Sequence, residues 1–204
     1  MTGIDAIMRA APVIPVLVLD GSHDPAALAH ALVHAGLPVI EITLRTDSAL
    51  DAIAAMARVP GAIVGAGTVL DGEQAKAARD AGSQFLVSPG LTEPVAGAAR
   101  ALDVPLLPGV ATAGDIMRGL DLGFDRFKFF PAEAAGGLSA LKALAGPFGN
   151  VRFCPTGGIR RETAAEWLAL DAVLCVGGTW IVPKGASLDE VGRLAADAAS
   201  LGSR

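Results

Sequence analysis

Eight short apolar runs recur along the chain at intervals of 20 to 26 residues, and that rhythm limits what the chain can fold into more than any other feature. They begin near Val13 (VIPVLVL), Val39 (VIEITL), Ala62 (AIVGAGTV), Phe85 (FLVSP), Pro105 (PLLPGV), Arg126 (RFKFFPAE), Val151 (VRFCPTGG) and Ala172 (AVLCVGGT). Each interval holds one strand, one helix of about three turns and two short loops. The intervening stretches 24–35, 47–58, 71–81, 92–101 and 112–120 are Ala-rich and open on Asp24, Asp47, Asp71, Thr92 and Thr112, side chains that cap the free amides of a helix start. Gly36, Gly82 and Gly123 close three of them, where a left-handed residue ends a helix.

Runs rich in Val, Ile and Leu with helices between them are strands covered on both faces, which means a parallel sheet. Eight such units predict an α/β fold, a single (β/α)8 TIM barrel over residues 1–204 with a helix ahead of the first strand. An open doubly wound sheet is the alternative. No GxGxxG follows the first run, so its dinucleotide-binding form lacks support. A chain of 204 residues buries roughly 70% of its unfolded surface and needs no disulfide or metal to fold.

Sixteen Lys and Arg stand against 21 Asp and Glu, a net charge of -5 that is the wrong sign for a nucleic-acid partner. Mean hydropathy is positive, at +0.51, yet no apolar segment approaches the roughly 20 residues that span a bilayer. The apolar stretch 10–19 is broken by Pro12 and Pro15 and preceded by Asp5, and reads as a helix followed by a strand rather than a signal peptide. Cys154 and Cys175 both lie in strand-like runs and read as inert core thiols in a reducing, cytoplasmic setting, with no metal site. His30 and His34 stand four apart on a helix without a third ligand and read as a surface pair, and His23 follows the first strand, within reach of the barrel mouth.

Polar residues inside apolar strands carry the chemistry. Residues two apart on a strand share a face, so Glu41, Thr43 and Arg45 line one side of the second run, and Ile40, Ile42 and Leu44 the other. A buried carboxylate is costly unless it is paired or used, and both a Glu41–Arg45 ion pair and a working acid fit this pattern. In RFKFFP, Lys128 faces away from Phe127 and Phe129. Desolvation disfavours its ammonium form and leaves a neutral amine available to attack a carbonyl, although an interior acid such as Glu41 would pair with it instead. Gly157 and Gly158 follow the seventh run, and Gly177, Gly178 and Thr179 the eighth, the two loops that often hold phosphate in such barrels.

With these residues in view, the chain resembles the family of 2-dehydro-3-deoxy-phosphogluconate (KDPG) and 4-hydroxy-2-oxoglutarate (KHG) aldolases over almost its full length. The words that carry the resemblance are EITLRT (41–46), VGAGTV (64–69), SPGLTEP (88–94), FKFFPAE (127–133) and GPFGNVRFCPTGGI (146–159). The resemblance implies a class I, metal-independent aldolase of the Entner-Doudoroff pathway with no cofactor, in which Lys128 forms the Schiff base and Glu41 transfers protons. It assigns the pyruvyl carboxylate to Arg45 and Thr68, with Pro89 and Phe130 shaping that pocket, and stereochemical control to Thr156. Phosphate falls to Gly157, Gly158, Gly177, Gly178 and Thr179, the last standing where members often carry Ser. It further implies a small 2-oxo acid phosphate as substrate, a homotrimer, and cleavage of KHG to pyruvate and glyoxylate as the sister activity. Other readings are a phosphosugar isomerase without a Schiff base and a non-catalytic scaffold or sensor, which would have no use for a buried nucleophilic amine.

Overall fold

The computed structural model describes residues 3–202. A six-stranded parallel sheet contains β1 (Val13–Leu17), β2 (Val39–Thr43), β3 (Ile63–Gly67), β4 (Phe85–Val87) and β5 (Leu106–Leu107). A three-stranded parallel sheet contains β6 (Gly109–Val110), β7 (Arg126–Phe129) and β8 (Arg152–Pro155), and β9 (Val176–Gly178) pairs with β1 in the larger sheet. The order in the larger sheet is β5-β4-β3-β2-β1-β9 and in the smaller β6-β7-β8. Every pairing is parallel, so the C-terminal ends of all strands within each sheet lie on one edge.

The two sheets touch at both ends of the curl. On one side the fifth run divides into β5 and β6 at Pro108, which has no amide to donate. There the Leu107 carbonyl accepts from Ser88 and the Pro108 carbonyl from Lys128, so neighbouring residues serve different sheets. On the other side, parallel bridges join Phe153 to Val173 and Thr156 to Gly177. Three residue steps along β8 match four along the strand before Gly177, which is the geometry of a bulge. The eighth run therefore enters regular pairing only at Val176, four residues later than its apolar pattern predicts.

Helices α2 (Pro25–His34), α4 (Gly72–Asp80), α5 (Glu93–Ala101) and α6 (Ala113–Asp121) start where the sequence predicts. Asp24, Asp71 and Thr92 each accept from an amide three residues on, and Thr112 forms a capping box with Asp115. Asp47 does not cap: α3 (Ala49–Met56) begins after Ser48, whose side chain bonds no helix amide. Gly36, Gly82 and Gly123 take φ of 94°, 104° and 80°, as a helix-ending glycine requires. The remaining helices are α1 (Ile4–Arg9), α7 (Gly137–Ala145), α8 (Arg161–Leu168) and α9 (Leu188–Ala199).

Strand alternation sorts the apolar side chains into two buried layers. The larger lies between sheet and helices and includes Ile40, Ile42, Phe127, Phe129, Phe153 and Trp167. The smaller lies on the inner face of the curl, where Ile14, Val39, Phe85, Val87, Leu107, Cys154 and Cys175 meet Ile7 and Met8 of α1. A hydrogen bond with Cys154, together with burial, pushes the Cys175 thiol up, so this pair behaves as apolar filling. None of the described helices is long and apolar enough to cross a membrane.

Helix α1 is tied across the base of β7. Asp5 accepts from Arg9 at 2.7 Å and from Arg126 at 2.5 Å, and these two guanidinium groups, Arg9 first, hold its carboxyl below the usual carboxylate range. A carboxylate depressed in the folded state stabilises above its ordinary range and loses that contribution as pH falls through its folded value. Asp5→Asn is expected to lower Tm at neutral pH, and the gap to the parent should close on acidification. Thermal unfolding between about pH 7 and pH 3 checks this, and a gap that ignored pH would remove the ion pair from the account.

Candidate active site

Lys128 and Glu41 come from different sheets and meet inside the curl. On β7, Phe127 packs on Phe153 and Phe129 on Trp167, each pair with ring centroids 6.4 Å apart, so Lys128 between them turns inward and is only 6% exposed. On β2, Ile40 and Ile42 face the helices and Glu41 faces the interior, 3% exposed. Lys128 Nζ donates to Glu41 Oε1 at 2.9 Å and approaches Oε2 at 3.3 Å. The Lys128 amide donates to the Pro108 carbonyl at 2.9 Å, which fixes the base of the side chain. Two charges removed from water are tolerated only because each satisfies the other.

The pair stands on the inner apolar layer. Val16 of β1 is in register with Glu41, and Glu41 with Gly65 of β3, which in turn is in register with Phe85 of β4. The Phe130 ring lies 5.4 Å from Lys128 Nζ, an apolar wall that also favours a cation. Thr43 is buried and donates to the Leu17 carbonyl at 2.9 Å, a structural bond between β2 and β1.

Gly177 and Gly178, expected to follow the last strand, are instead the last two residues of β9, and the other residues singled out in the sequence follow the C-terminal ends of strands. Arg45 follows β2, Thr68 β3, Pro89 β4, Phe130 β7, Thr156 β8 and Thr179 β9. Thr68 has φ of 61°, a left-handed conformation that is a genuine outlier for a β-branched residue and costs ~1–3 kcal/mol. Pro89 is half-buried, and its carbonyl lies so close to Gly109 that a Cβ there would collide with it. Thr156 is buried, and its amide donates to the Phe129 carbonyl at 2.9 Å. Gly157 and Gly158 have φ of 104° and 81°, and their amides donate to no acceptor among the described residues. Gly178 is buried against the Trp180 ring, and Thr179 is exposed.

A cavity of about 740 Å³ opens between the chain after β1, α3 and the segment after β9. Val16 to Val18 at the end of β1, Ala52 and Ala55 of α3, and Thr179, Val182 and Lys184 after β9 line it, whereas Lys128 and Glu41 do not. His23 contributes a strap at its edge, with Nε2 2.8 Å from the Ala186 carbonyl and Nδ1 2.9 Å from Ser22 Oγ. His30 and His34 are exposed on α2.

One expectation fails outright. β2 ends at Thr43, so the alternation that would aim Arg45 inward stops two residues short. Arg45 sits exposed in the following turn and forms no salt bridge among the described residues. The partner of Glu41 is Lys128 instead. Three features escaped the sequence reading: the strained backbone of Thr68, the narrow contact of Gly109 with Pro89, and the Trp180 Nε1–H, buried with no partner among the described residues. Only the position of Trp180 directly after Gly-Gly-Thr hinted at the last.

A curled parallel sheet enclosing an amine and a carboxylate in contact defines an α/β protein equipped for imine chemistry on a carbonyl compound. Comparison with known proteins makes the class specific. A family model described as KDPG and KHG aldolase matches residues 4–194. The 2-dehydro-3-deoxy-phosphogluconate aldolase of Zymomonas mobilis is 56% identical over 185 residues, covering 91% of this chain and 89% of the relative. A crystal structure of the 2-keto-3-deoxy-6-phospho-gluconate aldolase from Zymomonas mobilis superposes with a TM-score of 0.95 at 53% identity, covering 98% of each chain. The KDPG aldolase of Legionella pneumophila, solved with pyruvate captured as a covalent carbinolamine, superposes at 0.94 with 42% identity, covering 98% of this chain and 99% of that one. The chain belongs to the KDPG and KHG aldolase family.

The geometry makes a stability prediction. Lys128→Met strands a buried carboxylate and is expected to cost about 3–5 kcal/mol in urea denaturation, and adding Glu41→Gln should recover most of it. A single variant as stable as the parent would mean that Glu41 finds another partner.

Proposed function

We propose that the chain is a class I aldolase, a carbon-carbon lyase that cleaves 2-dehydro-3-deoxy-6-phosphogluconate to pyruvate and glyceraldehyde 3-phosphate. The observation that carries this reading is the buried 2.9 Å contact between Lys128 Nζ and Glu41 Oε1, an amine and a proton acceptor within one hydrogen bond. The carbinolamine in the Legionella pneumophila relative lends it support.

In the proposed cycle, Lys128 Nζ gives a proton to Glu41 and attacks C2 of the substrate to form a carbinolamine. Glu41 returns that proton to the carbinolamine hydroxyl, which leaves as water, so a protonated imine and a Glu41 carboxylate remain. Glu41 then accepts the C4 hydroxyl proton through a water, the C3–C4 bond breaks, and its electron pair moves into the imine to give an enamine. Glyceraldehyde 3-phosphate departs. Protonation of the enamine at C3 and addition of water release pyruvate and restore the amine. The imine serves as electron sink, so the cycle is written without a metal or cofactor.

Arg45 and Thr68 are assigned to the pyruvyl carboxylate, with Pro89 and Phe130 as walls. Thr156 is assigned to the face on which the new hydroxyl forms, and Gly157, Gly158, Gly177, Gly178 and Thr179 to the phosphate. The positive φ and unpaired amides of Gly157 and Gly158 support an anion site. Arg45 reaches the carboxylate from its exposed turn only as a flexible side chain. A substrate phosphate held there orients the reacting bond.

The joins between the two sheets, through Pro108 and through the bridges at Thr156 and Phe153, support one closed (β/α)8 barrel forming a single domain. Val18 after β1, Leu50 in the first turn of α3 and Leu70 after β3 expose aliphatic side chains, which supports self-association as a homotrimer. The two buried free thiols suit a cytoplasmic setting.

Borohydride added with pyruvate should fix a covalent adduct on Lys128, visible as a mass increase on its peptide and absent in Lys128→Arg. An unchanged mass in the parent would end the Schiff-base reading. Glu41→Gln should still trap pyruvate while kcat falls about 10²–10⁴-fold. Removing the phosphate from the substrate should lower kcat/KM sharply, and equal or better use of 4-hydroxy-2-oxoglutarate would favour the sister activity.

A further inference from the structure

Gly67 ends β3, two residues beyond Gly65, the residue in register with Glu41. The Glu41 side chain does not stay level with its own Cα partner. It leans toward the C-terminal edge and occupies the space that a side chain at position 67 would fill. A Cβ built on Gly67 would lie 2.7 Å from Glu41 Cγ and 2.8 Å from its carboxyl carbon, and closer still to Oε1. Contacts under 3.0 Å at both carbons require something to move.

The carboxylate has no alternative seat on β3. The corresponding space over Gly65 is already taken by the edge of the Phe85 ring, which a Cβ at 65 would strike. Phe85 itself is fully buried in the inner apolar layer. The backbone of Gly67 is equally committed, because its carbonyl accepts from the Leu44 amide at 2.9 Å. Glu41 is therefore confined between Phe85 on one side and the rim on the other, with Lys128 Nζ ahead of it.

We infer that Gly67 is a positioning residue: its missing side chain is the slot that holds the Glu41 carboxylate against Lys128, and any larger residue there displaces the acid while leaving the amine in place. Gly67 is not in the positive-φ region, so the requirement for glycine is steric crowding and not a left-handed conformation. This inference rests on the aldolase reading for its assay but not for its geometry.

The test is Gly67→Ala, read on the half-reactions that the full enzyme carries out with pyruvate alone. Borohydride trapping of pyruvate on Lys128 should persist. Exchange of the pyruvate methyl protons with D2O, which needs an acid or base beside the enamine, should fall about 10²-fold, the scale of loss from a misplacement near 1 Å. The second arm puts the same change into Glu41→Ala. With no carboxylate to collide with, Gly67→Ala should leave Tm unchanged there, although it lowers Tm in the parent.

Exchange within twofold of the parent in Gly67→Ala would overturn the inference. So would a Tm loss of equal size in both backgrounds, since that would make the glycine a general packing requirement. Failure of the unaltered chain to trap pyruvate at all would instead strike the aldolase reading, while the Tm comparison would still decide the role of Gly67.

Discussion

The arrangement of the site depends on one buried ion pair. Lys128 and Glu41 each carry a charge that the interior tolerates only in the other's presence, and they belong to two sheets that also meet at Pro108, at two bridges and through the inner apolar layer. Charge pairs of this kind contribute little net stability compared with apolar side chains of equal size, because desolvation offsets the attraction. What holds the fold is the apolar layer around them, in which Phe127, Phe129, Phe153 and Trp167 pack outside and Phe85, Leu107 and Cys154 inside. The fold can therefore hold an amine and a carboxylate at its centre although the intact pair adds little net stability and only a broken one is costly.

Much of this was legible in the chain because the signals were periodic. The alternation of Phe127, Lys128 and Phe129 turned the lysine inward, and Ile40, Glu41 and Ile42 did the same for the carboxylate. Helix starts at Asp24, Asp71, Thr92 and Thr112 rested on a local hydrogen bond that a single side chain determines. The rule failed where tertiary geometry took over. Asp47 lost its helix start to Ser48, the bulge before Gly177 delayed the last strand, and Arg45 left the pattern because β2 ended at Thr43.

Glycine was the least legible element. In the sequence, Gly65, Gly67, Gly109 and Gly177 look alike, yet each makes room for a different neighbour: the Phe85 ring, the Glu41 carboxylate, the Pro89 carbonyl and the Thr156 side chain. None of the four is required for a positive φ. Their value lies in what adjacent strands place over them, which no pattern within one strand can reveal.

The left-handed backbone of Thr68 has a further consequence. A β-branched side chain held there is a local discomfort that glycine or asparagine would remove. A laboratory selection for heat resistance alone would discard the threonine. Chains recovered from it would be easier to fold and short of one hydroxyl at the rim, so robustness and the proposed hold on the pyruvyl carboxylate pull this position in opposite directions.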